Sequence, residues 1–433
     1  MKHTARVSSC IRIITLINRK VKNIFCLTTE QKLIIILKLF AICTIINYIS
    51  LKWERVALSI YLDNSATTPL CNAAKEKIAY MLDKCWANPS SVHHMGVMAK
   101  EELDNARKII ASKISAREDE IFFTSGGTES NNIAIFGAVE KLAKRGNKII
   151  TSSLEHPSVE NCMRALENKG FNVVRLPANE KGEINIQDII KEVDEKTILI
   201  SVMLVNNELG SINPVSLIKK AVTMKNSPAL IHCDAVQGFG KLPIKVQKLN
   251  VDLMSISSHK IHGPKGAGAL FVRKGVNLPA TVFGGGQEKG LRSGTEAMPA
   301  ICGFAAAAEE ISNIEENLEK IKILRNNFIE KLKEIDGVFI NSKEEALPYI
   351  INFSVVGIPS QPMINFLSER EIYVSGGSAC AKGHRSTALV SFGLQPEKID
   401  SAIRVSLSRF NTEEELNILA ENISLATKTL RRV

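Results

Sequence analysis

The chain has 433 residues, 45% of them apolar and 23% charged. That ordinary globular balance excludes wholesale disorder, a collagen-like fibre and a polytopic membrane protein, and the length suits two or three domains. Its nine cysteines follow no regular spacing and include no CxxC pair, which argues against a disulfide framework or a zinc ribbon and for reduced thiols.

The net charge of +10 is unevenly spread: residues 1–58 hold ten Lys/Arg against only Glu30 and Glu54. The rest is nearly balanced and leaves no polyanion footprint, so no direct nucleic-acid binding is expected. Within this extension, Leu33–Leu51 is a 19-residue, largely apolar run whose one charge is Lys38, about the length that crosses a bilayer core. Three readings stay open: a membrane tether, a targeting segment, and upstream sequence absent from the working protein. The basic flank precedes the run, so a spanning helix would put the body outside the cytoplasm. The favoured expectation is a cytoplasmic body that begins near Val56 or Leu58 and works without the extension.

From Tyr61 the pattern turns α/β. Short β-rich runs at Ile121–Phe123, Lys148–Ser152, Val173–Leu176, Ile198–Val202, Leu230–Cys233, Asp252–Ile256 and Ala269–Val272 alternate with amphipathic stretches such as Glu101–Ile114 and Asn131–Lys144. Such alternation predicts βαβ units and a mostly parallel sheet flanked by helices. After Ile311 the rhythm changes to a charged helix (Glu315–Ile335), two strand-like runs, a glycine-rich loop near Ser375–Gly383 and a last helix (Glu413–Leu430). The division expected is an extension (1–58), a large domain (59–311) whose first residues can pack with the smaller one, and a small α+β domain (312–433).

Four motifs carry chemistry. Thr124-Ser-Gly-Gly-Thr-Glu-Ser130 follows a strand and opens a helix; its glycines and oriented N–H groups suit an anion, although an ordinary capped turn would look the same. Ile231-His-Cys-Asp-Ala-Val-Gln237 ends a buried strand on an acid, suited to a protonated ring nitrogen or to capping a helix. Ser255-Ile-Ser-Ser-His-Lys260 leads into Gly263-Pro-Lys-Gly-Ala-Gly268, the setting of a Schiff-base lysine beside a phosphate edge, or of a surface lysine in a loop. Ser375-Gly-Gly-Ser-Ala-Cys380 puts a thiol among small residues, where a sulfur relay needs it, whereas most lone cysteines are small buried hydrophobes.

Together with Tyr61-Leu-Asp-Asn-Ser-Ala-Thr-Thr-Pro69, Asn88-Pro-Ser-Ser91, Glu155-His156, Asn206-Asn-Glu208, Gly284-Gly-Gly-Gln-Glu288, Arg292-Ser-Gly-Thr295 and Ile403-Arg-Val-Ser406, these motifs resemble the cysteine desulfurases. Those are fold-type I pyridoxal-phosphate transferases of the aminotransferase class-V group, and the resemblance covers about Ile60 to Arg432. It implies that Lys260 is the Schiff-base lysine, Asp234 the partner of the pyridine nitrogen, and Gln237 and Asn207 partners of the ring's 3-oxygen. By the same resemblance His156 stacks on the ring and moves protons, while Gly127, Thr128, Ser257 and His259 hold the phosphate, with Thr295 supplied by the second subunit of a homodimer. Arg404, with Asn88 near it, takes the carboxylate of L-cysteine, and Cys380 becomes the persulfide. The implied product is L-alanine, and the implied partner is a sulfur-acceptor protein, an iron–sulfur scaffold or a tRNA thiolase. No metal is expected. The basic neighbours Lys382, His384 and Arg385 either favour the Cys380 thiolate or are solvated loop charges. Ala297 departs from the family's common Glu-Asn continuation, which leaves partner choice open. A selenocysteine lyase and an idle partner-binding scaffold are the alternatives.

Overall fold

A computed structural model describes residues 59–376 and 385–431. The extension, with its three readings, and Cys380, Lys382 and His384 lie outside the described residues. Residues Ile60–Val433 group as one compact unit.

The described chain opens with a short strand, β1 (Ile60–Tyr61), and two helices, α1 (Asn72–Asp83) and α2 (His94–Lys113). Strand β2 (Ile121–Thr124) then runs into α3 (Gly127–Leu142). There follow β3 (Lys148–Ser152), α4 (Pro157–Glu167), β4 (Asn172–Leu176), β5 (Thr197–Met203), β6 (Leu230–Asp234), β7 (Leu253–Ser257) and β8 (Gly268–Val272). These strands form a seven-stranded sheet in the order β2-β8-β7-β6-β5-β3-β4. Neighbours from β4 through β7 pair in parallel, and β8 runs antiparallel to both β7 and β2.

The central strands are buried along their whole length, as in TILISVM of β5 and LMSIS of β7. Continuous apolar runs of this kind belong to strands covered on both faces. On one face, Ile133, Ile135 and Val139 of α3 and Val159 and Met163 of α4 meet Leu199, Leu253 and Leu270. The other face carries α1, α2 and an apolar helix, α5 (Met298–Glu310), which packs against both. The sheet order brings the carboxyl ends of β5, β6 and β7 side by side, so Met203, Asp234 and Ser257 share one rim. Open α/β sheets bind ligands at that rim.

Beyond α5, the helix α6 (Ile314–Lys333) precedes β9 (Val338–Ile340), β10 (Ile350–Val355), β11 (Ile372–Tyr373), β12 (Ala402–Ser406) and α7 (Glu413–Thr429). Strands β12, β10 and β9 make an antiparallel sheet backed by the packed pair α6 and α7. A capping box starts α7, in which Glu415 N–H donates to Thr412 Oγ1 and Thr412 N–H to Glu415 Oε2, satisfying two amides that a helix start leaves open. The chain's opening strand belongs to this region: β1 pairs in parallel with β11, and Asp63 bridges to Ser406. Among the described residues no helix is long and apolar enough to cross a membrane.

Candidate active site

A cavity of about 550 Å³ lies over the rim, lined by Gly127, Thr128, His156, Asp234, Lys260 and Arg404 among others. Asn207, Gln237, Ser257 and His259 also line it.

Lys260 ends the one-turn Ser258–Lys260 helix that follows β7. Its Nζ donates to the carbonyls of Ser65 at 2.5 Å and Ala66 at 2.7 Å. Burial, reinforced by Arg404 and opposed by Asp63 and Asp234, lowers its pKa to about 8. A lysine so tuned offers a neutral amine near physiological pH, which nucleophilic and base chemistry both require.

Asp234, the last residue of β6, is only 6% exposed. Its Oδ1 accepts from Val236 N–H at 3.0 Å and its Oδ2 from Asn131 Nδ2 at 2.8 Å. The same Asn131 amide donates to Ser158 Oγ at 2.8 Å. The Ser158 hydroxyl, thus an acceptor from Asn131, turns its proton to His156 Nδ1 at 2.8 Å, where Ser158 N–H also points at 3.2 Å. With Nδ1 accepting twice, the neutral His156 ring carries its proton on Nε2. Burial lowers the His156 pKa, against the raising effect of Asp234. Next to it, Glu155 Oε1 accepts from Ser152 Oγ at 2.5 Å and Met203 N–H at 2.9 Å. Burial pushes that carboxyl up to about 8, which favours a protonated Glu155 at neutral pH.

At the other end, α3 begins on Gly126, whose φ of +150° favours glycine, and on Gly127, where a Cβ would meet Val236 Cγ2 at 2.6 Å. The two glycines let the helix N-terminus close onto the Asp234–Gln237 segment, presenting free N–H groups to an anion. Ser257 Oγ is buried with no hydrogen-bond partner. His259 Nδ1 meets Thr67 Oγ1 at 3.2 Å, and burial together with Lys260, Lys265 and Lys241 lowers its pKa to about 4, so the ring is neutral. Beneath this turn Glu129 accepts from Ser125 N–H and from Arg292 Nε, the latter at 3.0 Å.

Arg404, on β12, extends its guanidinium into the cavity from the antiparallel sheet. Nη1 donates to Asn207 O at 3.0 Å, Nη2 to Asp63 Oδ1 at 2.7 Å, and the buried Nε has no partner. Asn207 therefore offers its side chain as a cavity wall and spends its carbonyl on Arg404.

The structure separates other residues from this group. Asn88 is exposed, its Oδ1 accepting from Ser90 N–H at 2.9 Å, and Thr295 is exposed; neither lines the cavity of a single chain. Arg385 is held by Asp400 in two hydrogen bonds of 2.8 and 2.6 Å, so its charge is shared with a carboxylate rather than free. The described cysteines, Cys71, Cys85, Cys162, Cys233 and Cys302, are all buried. Burial raises every one of their thiol pKa values, that of Cys162 to about 11 and of Cys302 to about 12. Such thiols are poor nucleophiles. Reading the sequence by motif overlooked Asn131, Ser158 and Asp63. Asn131 sits one residue past the Thr124–Ser130 motif, and Asp63 lies inside Tyr61–Pro69, where its charge was the available signal.

The aminotransferase class-V family profile matches residues 60–419. The chain belongs to that family. Among class-V relatives, the cysteine desulfurase IscS of Dictyoglomus turgidum is 38% identical over 379 residues, covering 86% of this chain and 96% of its own. The IscS of Buchnera aphidicola is 41% identical over 383 residues, covering 86% and 94%. The solved structure of a NifS-like protein superposes with a TM-score of 0.82 at 37% identity, covering 86% of this chain and all of that one. Within class V the chain therefore stands with the cysteine desulfurases, which are pyridoxal-phosphate enzymes.

The residues present fit that cofactor. The orphaned Ser257 hydroxyl and the open N-terminus of α3 are donors suited to a phosphate, and the buried Asp234 carboxyl offers acceptor oxygens to a ring nitrogen. When bound, pyridoxal phosphate supplies the electron sink that allows a proton to leave the substrate's Cα and its Cβ–S bond to break.

Proposed function

We propose that this protein converts L-cysteine to L-alanine and keeps the sulfur as a persulfide on Cys380, for delivery to an acceptor protein of iron–sulfur assembly or tRNA thiolation. The observation that carries this reading is the convergence of Lys260, Asp234, His156 and Arg404 on one cavity.

Each side chain has work suited to its surroundings. Arg404 binds the substrate carboxylate, its fork already aimed by Asp63 and Asn207. Lys260, partly neutral near its pKa of about 8, takes the proton from the substrate's Cα. His156, with its proton on Nε2 and Nδ1 fixed by Ser158, exchanges protons with the substrate thiol. Asp234, held in place by donors from Asn131 and Val236 on its two oxygens, is oriented toward a ring nitrogen. Cys380 thiolate attacks the substrate sulfur. The electron pair of the Cβ–S bond stays with carbon, which gains a proton as alanine forms, and the sulfur remains on Cys380 as a persulfide. Both flanks of the segment that holds Cys380, Ser375 and Thr387, line the cavity wall, which supports this assignment.

The active unit is a homodimer in this reading, because Thr295 is exposed outside its own chain's cavity and would complete the phosphate site of a second copy. The large exposed apolar side chains Trp86, Val92 and Phe283 support a surface covered by that copy. The testing experiment is Cys380→Ala. The variant keeps the visible absorbance of the bound cofactor but forms neither persulfide nor alanine at the normal rate. Normal sulfide release from cysteine would remove Cys380 from the role.

A further inference from the structure

Four residues beyond the active-site Gln237, on the same turn, lies a lysine that the proposed chemistry does not use. Lys241 is 6% exposed, and its Nζ donates to Gln237 Oε1 at 3.2 Å. The chain turns between them through Gly240, whose φ is +72°, and brings the two side chains together. The ammonium sits 5.9 Å from the centre of the Tyr349 ring and borders a space of about 20 Å³ shared with Lys260, His262 and Arg409. The charges acting on it most are the cations Lys260 and Arg404. A buried lysine among cations costs stability, offset here by its hydrogen bond to Gln237 and its contact with the Tyr349 ring.

We infer that Lys241 is a positioning residue that fixes the amide of Gln237, so that its Nε2 donor faces the cofactor's 3-oxygen. The two ends of a glutamine amide have nearly the same shape but opposite hydrogen-bonding character. An ammonium only donates, so the end facing Lys241 must be the oxygen, and the NH2 group is turned toward the cavity. In the structure that NH2 group donates to Ser65 O at 3.0 Å, a carbonyl it shares with Lys260 Nζ. Ser65 is therefore a constraint that depends on Lys260, whereas Lys241 holds the oxygen end independently of it. Burial and the neighbouring cations lower the Lys241 pKa to about 7; the charged form, which dominates below that pH, admits only the oxygen, whereas the uncharged amine leaves the orientation to Ser65. The inference rests on the proposed pairing of Gln237 with the 3-oxygen.

The test uses full-length protein loaded with pyridoxal phosphate and reads the pH midpoint of the bound cofactor's visible absorbance. A donor held on the 3-oxygen favours the high-pH form, in which that oxygen carries its full negative charge. Lys241→Met is expected to raise the midpoint by on the order of one pH unit, and Lys241→Arg to restore it. Because the effect passes through the amide, Lys241→Met should add nothing in a Gln237→Ala background, a non-additivity that a plain charge effect would not show. An equal shift in both backgrounds, or no shift in the single variant, overturns the inference. Should Lys241→Met not fold, Lys241→Leu, which also lacks a donor, decides it by the same two-background comparison. Wild-type protein that failed to take up the cofactor would overturn the parent reading along with this one, so the two failures are distinguishable.

Discussion

Asp63 and Arg404, 341 residues apart in sequence, meet at 2.7 Å behind the cavity that Arg404 lines. Asp63 follows the short strand β1, and Arg404 lies on β12, which the Asp63–Ser406 bridge brings alongside. The pair leaves Arg404 Nε buried and unpartnered. A desolvated guanidinium edge of this kind is poised for a second carboxylate, and its planar fork binds it with two parallel hydrogen bonds. Arg404→Lys keeps the charge and loses the fork. The expected result is a KM for cysteine raised by roughly tenfold to a hundredfold, the value of one charge-assisted hydrogen bond, with the cofactor absorbance unchanged. Steady-state kinetics beside a spectrum decide it; an unchanged KM would remove Arg404 from carboxylate binding.

Lys260 gives a pH prediction with a definite sign. Its pKa is lowered to about 8, chiefly by burial, and only the neutral amine captures an aldehyde. Below pH 8 the rate at which apo-protein takes up pyridoxal phosphate should therefore fall about tenfold per pH unit; above it the rate should level off. Stopped-flow absorbance measures this directly, and a flat profile from pH 6 to 9 would contradict the assignment. Lys260→Ala should abolish both covalent uptake and alanine formation.

Asn131 connects the group expected at the ring nitrogen, Asp234, with the one expected to stack on the ring, His156, through Ser158. Asn131→Asp is nearly isosteric but turns the donor into an acceptor, setting a carboxylate against Asp234. Loss of a hydrogen bond to a buried charge costs about 1.5–3 kcal/mol. Equilibrium dialysis should show cofactor affinity reduced by roughly tenfold to a hundredfold, and kcat should fall as well. Retained affinity would mean that Asp234 is held by Val236 N–H alone.

The central strands were legible because each is a short apolar run between turn signals, and β3 from Lys148 to Ser152 has the predicted bounds. The helices were harder. Glu101–Ile114 read as amphipathic, yet α2 starts at His94, because its first turns carry exposed Val97 and a buried Gly96 that break the periodicity. Helix α5 went unnoticed since MPAICGFAAAAEE is apolar nearly all round, a pattern that marks burial without a face. At the site, residues with reactive side chains stood out in motifs. Asn131 and Ser158 did not, as amides and hydroxyls act by where the fold sets them. Arg385 read as a free cation because its partner Asp400 lies 15 residues on and meets it only in the folded chain.

The last prediction concerns the scaffold under the phosphate turn. Arg107 on α2 grips Glu288 with two hydrogen bonds of 2.8 and 2.7 Å, and its Nη1 also donates to Ile121 O at 2.7 Å. Glu288 Oε2 in turn accepts from Phe123 N–H at 2.8 Å. Both backbone contacts fall on β2, the strand that delivers Thr124 and the glycines that open α3. The side chain of Glu288 is 3% exposed and that of Arg107 15%, so the pair is largely hidden from water. Removing one partner of such a pair leaves an uncompensated charge and costs about 3–5 kcal/mol, whereas replacing both with apolar groups of similar volume is often neutral. Arg107→Met should therefore lower stability by about that amount in urea unfolding, and Arg107→Met with Glu288→Leu should recover part of the loss. The double variant still lacks the acceptor for Phe123 N–H and the donor to Ile121 O, so a remainder of about 1–3 kcal/mol is expected. If the single and double variants were equally destabilised, Glu288 would be acting through its backbone rather than its charge, and the link from α2 to the phosphate turn would lie elsewhere.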